Sequence, residues 1–378
     1  MRILITTTYY LPNVSGITIY INILAEELVK RGHEVTILTS WHMKDTAREE
    51  IINGVRIIRE PVWFYIGKGP ICPSFLWKSV KEIFRTEIIN CHLPQPESVW
   101  VAFWSRLLGK KVFLTHHTDL SFWKGIKNKI IDGGVFVCQF VAGILATGII
   151  PYTQDYAENS YLLKHFLKKV YPIYPPIKFG IETNNDLAKQ IEKEIKNKKY
   201  IIGFCGRIAK QKGIELLIES TTILDERLGD NYVILMAGPK KVIGENYYEY
   251  LLEKYGKILK DRFVFLDNIP REFLAVFYQK LDLLVLPSDD ILESFGWVQI
   301  EAMKCGVPCV ATNLPGMRIP VKETAMGELF KNRSKNDLAK KIVEVLDKGK
   351  GAYQKDMGKL SKFEYAKTIE NYEMIFQK

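Results

Sequence analysis

Residues 287–308 of the 378-residue chain form the sequence Pro287-Ser-Asp-Asp-Ile-Leu-Glu293-Ser-Phe-Gly296-Trp-Val-Gln-Ile-Glu301-Ala-Met-Lys-Cys-Gly306-Val-Pro308. A short apolar run ends at Pro287, a polar loop carries Glu293, and a helix is predicted from near Gly296. In open α/β sheets, ligands bind beyond the carboxyl ends of the strands, so we expect this loop to contact one.

The start of this predicted helix suits a phosphate group. The backbone N–H groups of Ser294, Phe295 and Gly296 are expected at the helix N-terminus, where the helix dipole favours an anion such as a diphosphate. Glycine at 296 lets the backbone approach the ligand closely.

Glu293 and Glu301 are two carboxylates separated by seven residues. Glu301 falls in the second turn of the predicted helix, within reach of the hydroxyls of a bound nucleoside. The alternative is that Glu293 is an ordinary loop carboxylate and Glu301 a solvated helix residue. Four flanking residues favour the ligand-binding interpretation: Phe295, Gly296, Gly306 and Pro308.

A second loop has the same strand-loop-helix pattern, in the sequence Gly203-Phe-Cys-Gly206-Arg207-Ile-Ala-Lys-Gln-Lys212-Gly213. Arg207 and Lys212 are two cations that can converge on phosphate oxygens, whereas Lys210 is expected to face water. A basic loop alone is usually a surface loop. The phosphate interpretation gains weight because both loops follow strands of one predicted sheet.

Strands and helices alternate twice along the chain. The first series begins with a strand at 2–8 and a helix at 17–30, and further apolar runs follow, including one at 143–151. The second series begins with a strand at 200–205, after the proline-rich stretch 171–176. Repeated β–α alternation predicts α/β domains with parallel sheets, here residues 1–176 and 177–361. The final helix, 362–378, is assigned to the first domain, although either domain could hold it.

Two further loops of the first domain carry candidate residues. Gly16, in Tyr9-Tyr-Leu-Pro-Asn-Val-Ser15-Gly16-Ile, lies where a helix begins and could admit a phosphate or a sugar. His116 and His117 follow another strand and could bind sugar hydroxyls, or serve as structural histidines bonded to backbone. The sequence has no G-x-G-x-x-G fingerprint, which weakens a nicotinamide-dependent dehydrogenase hypothesis.

Composition excludes several classes of protein. Apolar residues make up 47% of the chain and charged residues 25%, which disfavours disordered, collagen-like and coiled-coil chains. The net charge of +10 favours anionic partners. The N-terminus lacks the pattern of a signal peptide, and the apolar stretch 133–151 is interrupted by glycines, so a cytoplasmic protein is expected.

In order and spacing, the four motifs resemble those of the retaining GT-B glycosyltransferases of glycosyltransferase family 4. This group includes glycogen-synthase-like and phosphatidylinositol-mannosyltransferase-like enzymes. The resemblance covers nearly the whole chain and is densest between residues 200 and 327. It implies the GT-B fold, with two Rossmann-like doubly wound domains that face each other across a cleft. The first domain would bind the acceptor and the second a nucleotide sugar.

The resemblance also implies a role for each motif residue. Arg207, Lys212 and the amides of Ser294, Phe295 and Gly296 would bind the donor diphosphate, and Gly16 would let the donor approach. Glu301 would bind the ribose hydroxyls and Glu293 the hydroxyls of the donor sugar. His117 is the expected catalytic histidine because it precedes Thr118 and Asp119 as in similar sequences, with His116 as the alternative. The implied catalytic set is His117, Glu293, Arg207 and Lys212.

The implied reaction is hexosyl transfer with retention, without a cofactor or metal. Arg207, Lys212 and the helix N-terminus would supply the positive charge that stabilises the departing nucleoside diphosphate. The sequence contains no Asp-x-Asp, which agrees with this interpretation. Trp297 and Leu266-Asp-Asn268 depart from the family pattern, so the nucleobase, UDP- or GDP-linked, stays open.

The acceptor is expected to be a lipid or a lipid-linked glycan at the inner membrane face. Lysines alternate with aromatic residues at 63–68, 75–81 and 122–129, a pattern that suits an anionic membrane surface. The alternative is that these aromatic residues fill the domain core while the lysines face water.

Three other functions stay open at this stage: a glycosyltransferase with a soluble sugar acceptor, a GT-B nucleotide-sugar epimerase, and a GT-B protein without turnover. A nucleic-acid partner is not expected, because no nucleic-acid-binding module is present.

Overall fold

The computed structural model describes residues 1–67, 69–120, 126–178, 180–195, 198–241 and 246–378. The chain divides into two compact units. The first unit comprises residues 1–176 and 364–378, and the second comprises residues 177–363.

The first unit alternates strands and helices along most of its length. Its elements are β1 (Arg2–Thr6), α1 (Gly16–Lys30), β2 (Glu34–Trp41), β3 (Glu49–Ile52), β4 (Val55–Pro61), β5 (Phe64–Ile66), β6 (Gly69–Ile71), α2 (Pro73–Arg85), β7 (Ile88–Leu93), α3 (Ser98–Leu107), β8 (Lys111–His116), α4 (Ile126–Leu145), β9 (Gly148–Pro151) and α5 (Gln154–Asn159).

The second unit repeats this alternation. Its elements are α6 (Asn185–Ile195), β10 (Tyr200–Cys205), α7 (Ile214–Leu228), β11 (Tyr232–Ala237), α8 (Tyr247–Arg262), β12 (Phe263–Asp267), α9 (Leu274–Gln279), β13 (Leu283–Leu286), α10 (Trp297–Lys304), β14 (Cys309–Thr312), α11 (Ile319–Thr324), β15 (Gly327–Phe330) and α12 (Lys335–Lys348). The last helix, α13 (Tyr365–Gln377), belongs to the first unit.

The first unit is built on a seven-stranded sheet of order β3-β4-β2-β1-β7-β8-β9. All neighbouring strands pair in parallel except β3, which runs antiparallel to β4. The central strands are covered on both faces, so they are continuously apolar; Ile3, Leu4 and Ile5 of β1 are fully buried. A separate hairpin pairs β5 with β6.

The second unit has a six-stranded parallel sheet of order β12-β11-β10-β13-β14-β15. From β10 the chain proceeds outward to β11 and β12, then returns to place β13 on the other side of β10. The strand order therefore reverses between β10 and β13, and the crevice beyond their carboxyl ends is the position where doubly wound sheets bind ligands.

The predicted α/β class is confirmed, while several element bounds differ from the prediction. The apolar run 143–151 is divided between two elements, since α4 continues to Leu145 and β9 begins only at Gly148. The glycines at 133 and 134 lie inside α4, although each costs about 1 kcal/mol of helix propensity relative to alanine. The final helix begins at Tyr365 instead of residue 362.

Helix α13 is held on the first unit by buried polar and aromatic contacts. The Tyr372 hydroxyl lies 2.7 Å from the Tyr20 hydroxyl and 2.9 Å from Thr115 Oγ1. The Phe376 ring packs against Phe113, with ring centroids 5.3 Å apart. At the helix surface, Glu373 accepts a hydrogen bond from Arg31.

Tyr372→Phe removes the hydroxyl that joins α13 to α1 and β8. We expect the free energy of unfolding of the first unit to fall by about 1–3 kcal/mol, because the buried Tyr20 and Thr115 hydroxyls each lose a partner. Met374→Ala is the control on the same helix, since Met374 is exposed. Urea denaturation followed by circular dichroism measures both, and equal stability of the two variants would contradict the prediction.

Candidate functional site

The loops that follow β10 and β13 touch each other at the crevice of the second unit. Gly213, just before α7, has a φ of +64°, and a Cβ atom there would lie 1.9 Å from the carbonyl oxygen of Pro287. Only glycine permits both this conformation and this approach of two backbones. The contact fixes the Arg207–Lys212 segment beside the loop that carries Glu293.

Lys212 and Glu293, both predicted site residues, form an ion pair at this point. Lys212 Nζ donates to Glu293 Oε2, and each side chain is about one-fifth exposed, at 18% and 20%. Arg207 is exposed and forms no ion pair within the part of the chain that the structure describes. A guanidinium in this state is available to an anionic ligand.

The segment before α10 presents backbone rather than side chains. Phe295 is fully buried and packs against Phe363, with ring centroids 5.9 Å apart, so its contact with a ligand would be made through its backbone. Gln299 Nε2 donates to the Phe295 carbonyl at 3.2 Å and to the Met317 carbonyl at 2.9 Å, which fixes the segment. Gly296 has a φ of +75°, and a Cβ there would lie 2.4 Å from Leu286 Cδ2.

Glu301 lies in α10 and is only 2% exposed. Its two carboxylate oxygens accept separate hydrogen bonds, from Arg271 Nη2 at 2.9 Å and from the Tyr278 hydroxyl at 2.9 Å. The interpretation of Glu301 as a solvated helix residue is therefore wrong. Sequence reasoning missed Arg271, just before α9, and Tyr278, on α9, because neither belongs to a recognised motif.

Cys205, at the carboxyl end of β10, links these groups into one region. Burial raises the pKa of the Cys205 thiol to about 12, and the nearby Glu301 carboxylate adds to this increase. Arg271 and Lys212 act in the opposite direction on the same thiol. Both cations and the Glu301 carboxylate are thus close enough to Cys205 to act on its charge.

The loop after β12 explains one departure from the family pattern. Asp267 has a φ of +61°, a conformation that glycine adopts freely and that aspartate tolerates better than most residues. Its carbonyl accepts a hydrogen bond from the Gly238 N–H at 2.7 Å, and Lys240 Nζ lies 3.3 Å from its carboxylate. Asp267 therefore occupies a backbone conformation that favours glycine and adds a charged pair to the loop.

In the first unit, Gly16 is the first residue of α1, directly after the N-cap Ser15. The Ser15 side chain accepts a hydrogen bond from the Thr18 N–H at 3.2 Å, and the Ser15 N–H donates to Thr18 Oγ1 at 2.8 Å. A Cβ atom on Gly16 would meet nothing within 4 Å. The helix start is therefore well formed, and the space beside Gly16 is open.

His117 is 2% exposed, and both of its ring nitrogens contact protein side chains. Nε2 lies 2.8 Å from Nδ1 of His92, and Nδ1 is bonded to the Tyr152 hydroxyl. His116 is fully buried, with Nε2 3.5 Å from Asp119 Oδ1 and no hydrogen bond at either nitrogen among the described residues.

The hydrogen bonds around His92 fix the direction of proton donation. The Asn90 amide nitrogen donates to Thr115 Oγ1 and to the Phe113 carbonyl, so the Asn90 oxygen accepts from Nε2–H of His92. His92 Nδ1 then accepts from His117. Burial lowers the pKa of His92 to about 3 and that of His117 well below its usual value, so both rings are neutral at pH 7.

The first unit also contains a cavity of about 800 Å³, most of whose lining is apolar. His92, rather than His117, lies in its wall, together with Ser15 and Thr18 of the α1 start. The apolar lining comes mainly from the β5–β6 hairpin and from α4, including Ile66, Ile71, Ile130, Ile131 and Val135. Sequence reasoning missed His92, which precedes its partner by 25 residues.

Two family models match the chain in succession. The model described as "Glycosyltransferase Family 4" matches residues 14–148, and the model described as "Glycosyl transferases group 1" matches residues 186–362. The chain belongs to glycosyltransferase family 4. The first match covers the α1 start and the histidine strand, and the second covers the Lys212, Glu293 and Glu301 loops.

Relatives of this family 4 glycosyltransferase include an uncharacterized glycosyltransferase of Methanocaldococcus jannaschii. The two are 25% identical over 92% of this chain and 89% of that protein. A D-inositol 3-phosphate glycosyltransferase of Mycobacteroides abscessus is 29% identical over 53% of this chain and 44% of that protein.

The family 4 glycosyltransferase has the GT-B fold. Among solved structures it is similar to Anabaena HepE in complex with UDP, with a TM-score of 0.76 and 18% identity over 100% of both chains. The resemblance drawn from the sequence motifs is thus confirmed at the level of family and fold.

Gly213→Ala tests the backbone contact that joins the two site loops. We expect the free energy of unfolding to fall by about 3–5 kcal/mol. The new Cβ would overlap the Pro287 carbonyl, and alanine would have to adopt a positive φ. Gly109→Ala is the matched control: its φ is +66°, with open space around the Cβ position. There the expected loss is about 1–2 kcal/mol. Thermal unfolding measures both, and similar losses would contradict a close contact at Gly213.

Proposed function

We propose that this glycosyltransferase transfers a hexose from a nucleotide-diphosphate sugar to a hydroxyl of a lipid or lipid-linked glycan at the inner face of a membrane. Two ion pairs support the proposed donor: Lys212 with Glu293, and Arg271 with Glu301. They lie where the strand order of the second sheet reverses. The second unit is thus assigned the donor and the first unit the acceptor.

The donor diphosphate is assigned to Arg207, Lys212 and the N-terminus of α10. A diphosphate carries charges that match the exposed Arg207 guanidinium and the Lys212 ammonium. When the sugar leaves, negative charge grows on the diphosphate, and prepositioned cations stabilise it more in the transition state than in the ground state. Since these cations supply the charge that a metal supplies elsewhere, we propose a metal-independent reaction.

The proposed chemistry retains the anomeric configuration. The bond from the anomeric carbon to the diphosphate oxygen breaks, and the acceptor hydroxyl oxygen bonds to the same face of that carbon. The proton of the acceptor hydroxyl goes to the departing diphosphate. No enzyme nucleophile is needed, and Glu293, held by Lys212, is assigned the hydroxyls of the donor sugar.

The first-unit cavity supports an acceptor with an apolar part. Its wall is mostly hydrocarbon, and polar side chains lie at the α1 start, at His92 and, on α4, at Asn128 and Asp132. Such a cavity accommodates an apolar chain together with a hydroxyl-bearing head.

Exposed aromatic residues in the first unit support contact with a membrane. Trp63 is 71% and Trp77 72% exposed, so the interpretation that these residues fill the core is wrong for them, although it is right for the buried Phe75.

Residues 128–145 of α4 are long and apolar enough to cross a bilayer by length and composition alone, and 17% of them are buried. Lys68 and residues 122–125, also part of the membrane hypothesis, lie outside the described residues.

A soluble acceptor is the second candidate. It is favoured by the relative named as a D-inositol 3-phosphate glycosyltransferase, whose named substrate is a polar, water-soluble phosphate. A nucleotide-sugar epimerase would differ from both, because it would convert the donor without any acceptor.

Binding of nucleoside diphosphates tests the donor site. Calorimetric titration with UDP, GDP and ADP is expected to show binding of at least one, unchanged by EDTA. Glu301→Ala and Lys212→Ala are each expected to weaken it by about 1–3 kcal/mol, because each loses a hydrogen bond to a charged partner. Glu344→Ala, which removes an ion-paired glutamate of α12, is the control and is expected to bind like the wild type. Failure of the wild type to bind any of the three would refute the proposed donor.

Co-sedimentation with vesicles tests the membrane surface. The protein is expected to pellet with phosphatidylglycerol vesicles at low salt and to stay in solution with phosphatidylcholine vesicles, because basic side chains add about 1 kcal/mol each near an anionic surface. The double variant Trp63→Ala/Trp77→Ala is expected to pellet less. Tyr250→Ala, which removes an exposed aromatic residue of the second unit, should match the wild type. Absence of pelleting with anionic vesicles would refute the membrane proposal and favour a soluble acceptor.

A further inference from the structure

A single atom of Arg271 contacts two parts of the second unit. Its Nη2 donates to Glu301 Oε1 at 2.9 Å and to the backbone carbonyl of Lys178 at 2.9 Å. Lys178 belongs to the connector, defined here as residues 177, 178 and 180–182, at the start of the second unit. Arg271 therefore lies between the connector and the carboxylate assigned to the ribose.

Glu301 depends on this arginine for both charge and orientation. A carboxylate that is 2% exposed is costly to bury without a paired cation and hydrogen bonds. Arg271 holds one oxygen and Tyr278 the other, which fixes the plane of the carboxylate. Each carboxylate oxygen accepts up to two hydrogen bonds, and the described residues donate one to each, which leaves one acceptor position on each for a ribose hydroxyl.

The connector is in turn packed against the segment that carries Arg271. The Glu182 N–H donates to the Glu272 carbonyl at 3.1 Å. A Cβ atom on Gly180 would lie 2.3 Å from Glu272 Cα and 2.7 Å from the Glu272 carbonyl oxygen. The connector backbone thus fits beside residue 272 only because position 180 has no side chain.

We propose that Arg271 is a positioning residue for ribose recognition. It holds Glu301 in the orientation that accepts the ribose hydroxyls, and the connector, through Lys178 and Gly180, sets the position of Arg271. This inference rests on the proposed nucleotide-sugar donor. It assigns to the connector a part in substrate specificity, although the connector need not touch the nucleotide.

The test compares a ribonucleotide with its 2′-deoxy form. The probe is whichever of UDP, GDP and ADP binds most tightly, titrated in parallel with its 2′-deoxy counterpart. The ratio of the two dissociation constants measures ribose recognition, and contacts to the phosphates or the base cancel in it. For the wild type we expect a ratio of about ten, the value of one hydrogen bond to a charged group.

Variants then test whether this ratio depends on the contacts among Arg271, Glu301 and Tyr278. Glu301→Gln and Arg271→Gln are expected to reduce the ratio toward one, mainly because they weaken binding of the ribonucleotide. Arg271→Lys keeps the charge and is expected to restore part of the ratio, while Tyr278→Phe should give an intermediate value. Thermal unfolding verifies that each variant is folded at the titration temperature.

Gly180→Ala tests the connector without any change to a side chain near the nucleotide. The added methyl must displace the backbone of residue 272, so the ratio is expected to fall several-fold. Gly256→Ala is the matched control, because a Cβ there meets nothing within 4 Å, and its ratio should equal that of the wild type.

Two results would overturn the inference. If Arg271→Gln lowers the affinity for both nucleotides equally, Arg271 contributes to phosphate binding or to folding and not to ribose recognition. If it leaves both affinities unchanged, Glu301 keeps its orientation without Arg271. In both cases the proposed donor stands. Absence of binding by the wild type to any of the three diphosphates would instead refute the donor function and this inference with it.

Discussion

The contact between Gly213 and the Pro287 carbonyl is the constraint on which the donor region depends. It occurs where the sheet order reverses, so two loops whose contacting residues are 74 positions apart in sequence share one crevice. Lys212 precedes the contact on one loop, and Glu293 follows it on the other. Any side chain at 213 would separate the loops and with them the ion pair, because backbone cannot yield as the end of a flexible side chain can.

Sequence patterns predicted the elements that local chemistry determines. The strand-loop-helix pattern around Glu293 and Lys212 placed both residues at strand ends, and the structure brings them together. Arg271 and Tyr278 were not predictable, because their link to Glu301 arises only when α9 and α10 pack in three dimensions. The extent of α4 was missed because its glycines oppose a helix locally, whereas the helix continues through Gly133 and Gly134 to Leu145.

The histidines show that a sequence motif can identify a hydrogen-bonded group without identifying all of its members. His117 matches the sequence pattern, and its two nitrogens contact His92 and Tyr152. His92 lines the cavity, and its own two nitrogens contact His117 and Asn90. Because the order of donors and acceptors runs from Tyr152 through His117 and His92 to Asn90, a change at any of these residues alters hydrogen bonding along the whole series.

The packing of α13 means that the first unit is discontinuous in sequence. A fragment that stops at residue 176 contains every strand of the seven-stranded sheet but lacks the thirteen-residue helix that covers Tyr20, Phe113 and Thr115. Such a fragment would expose an apolar face and leave Thr115, which also bonds to Asn90, without its tyrosine partner. The core around Tyr20, Phe113 and Thr115 is therefore completed only by a helix that is separated from the rest of the first unit by the whole sequence of the second.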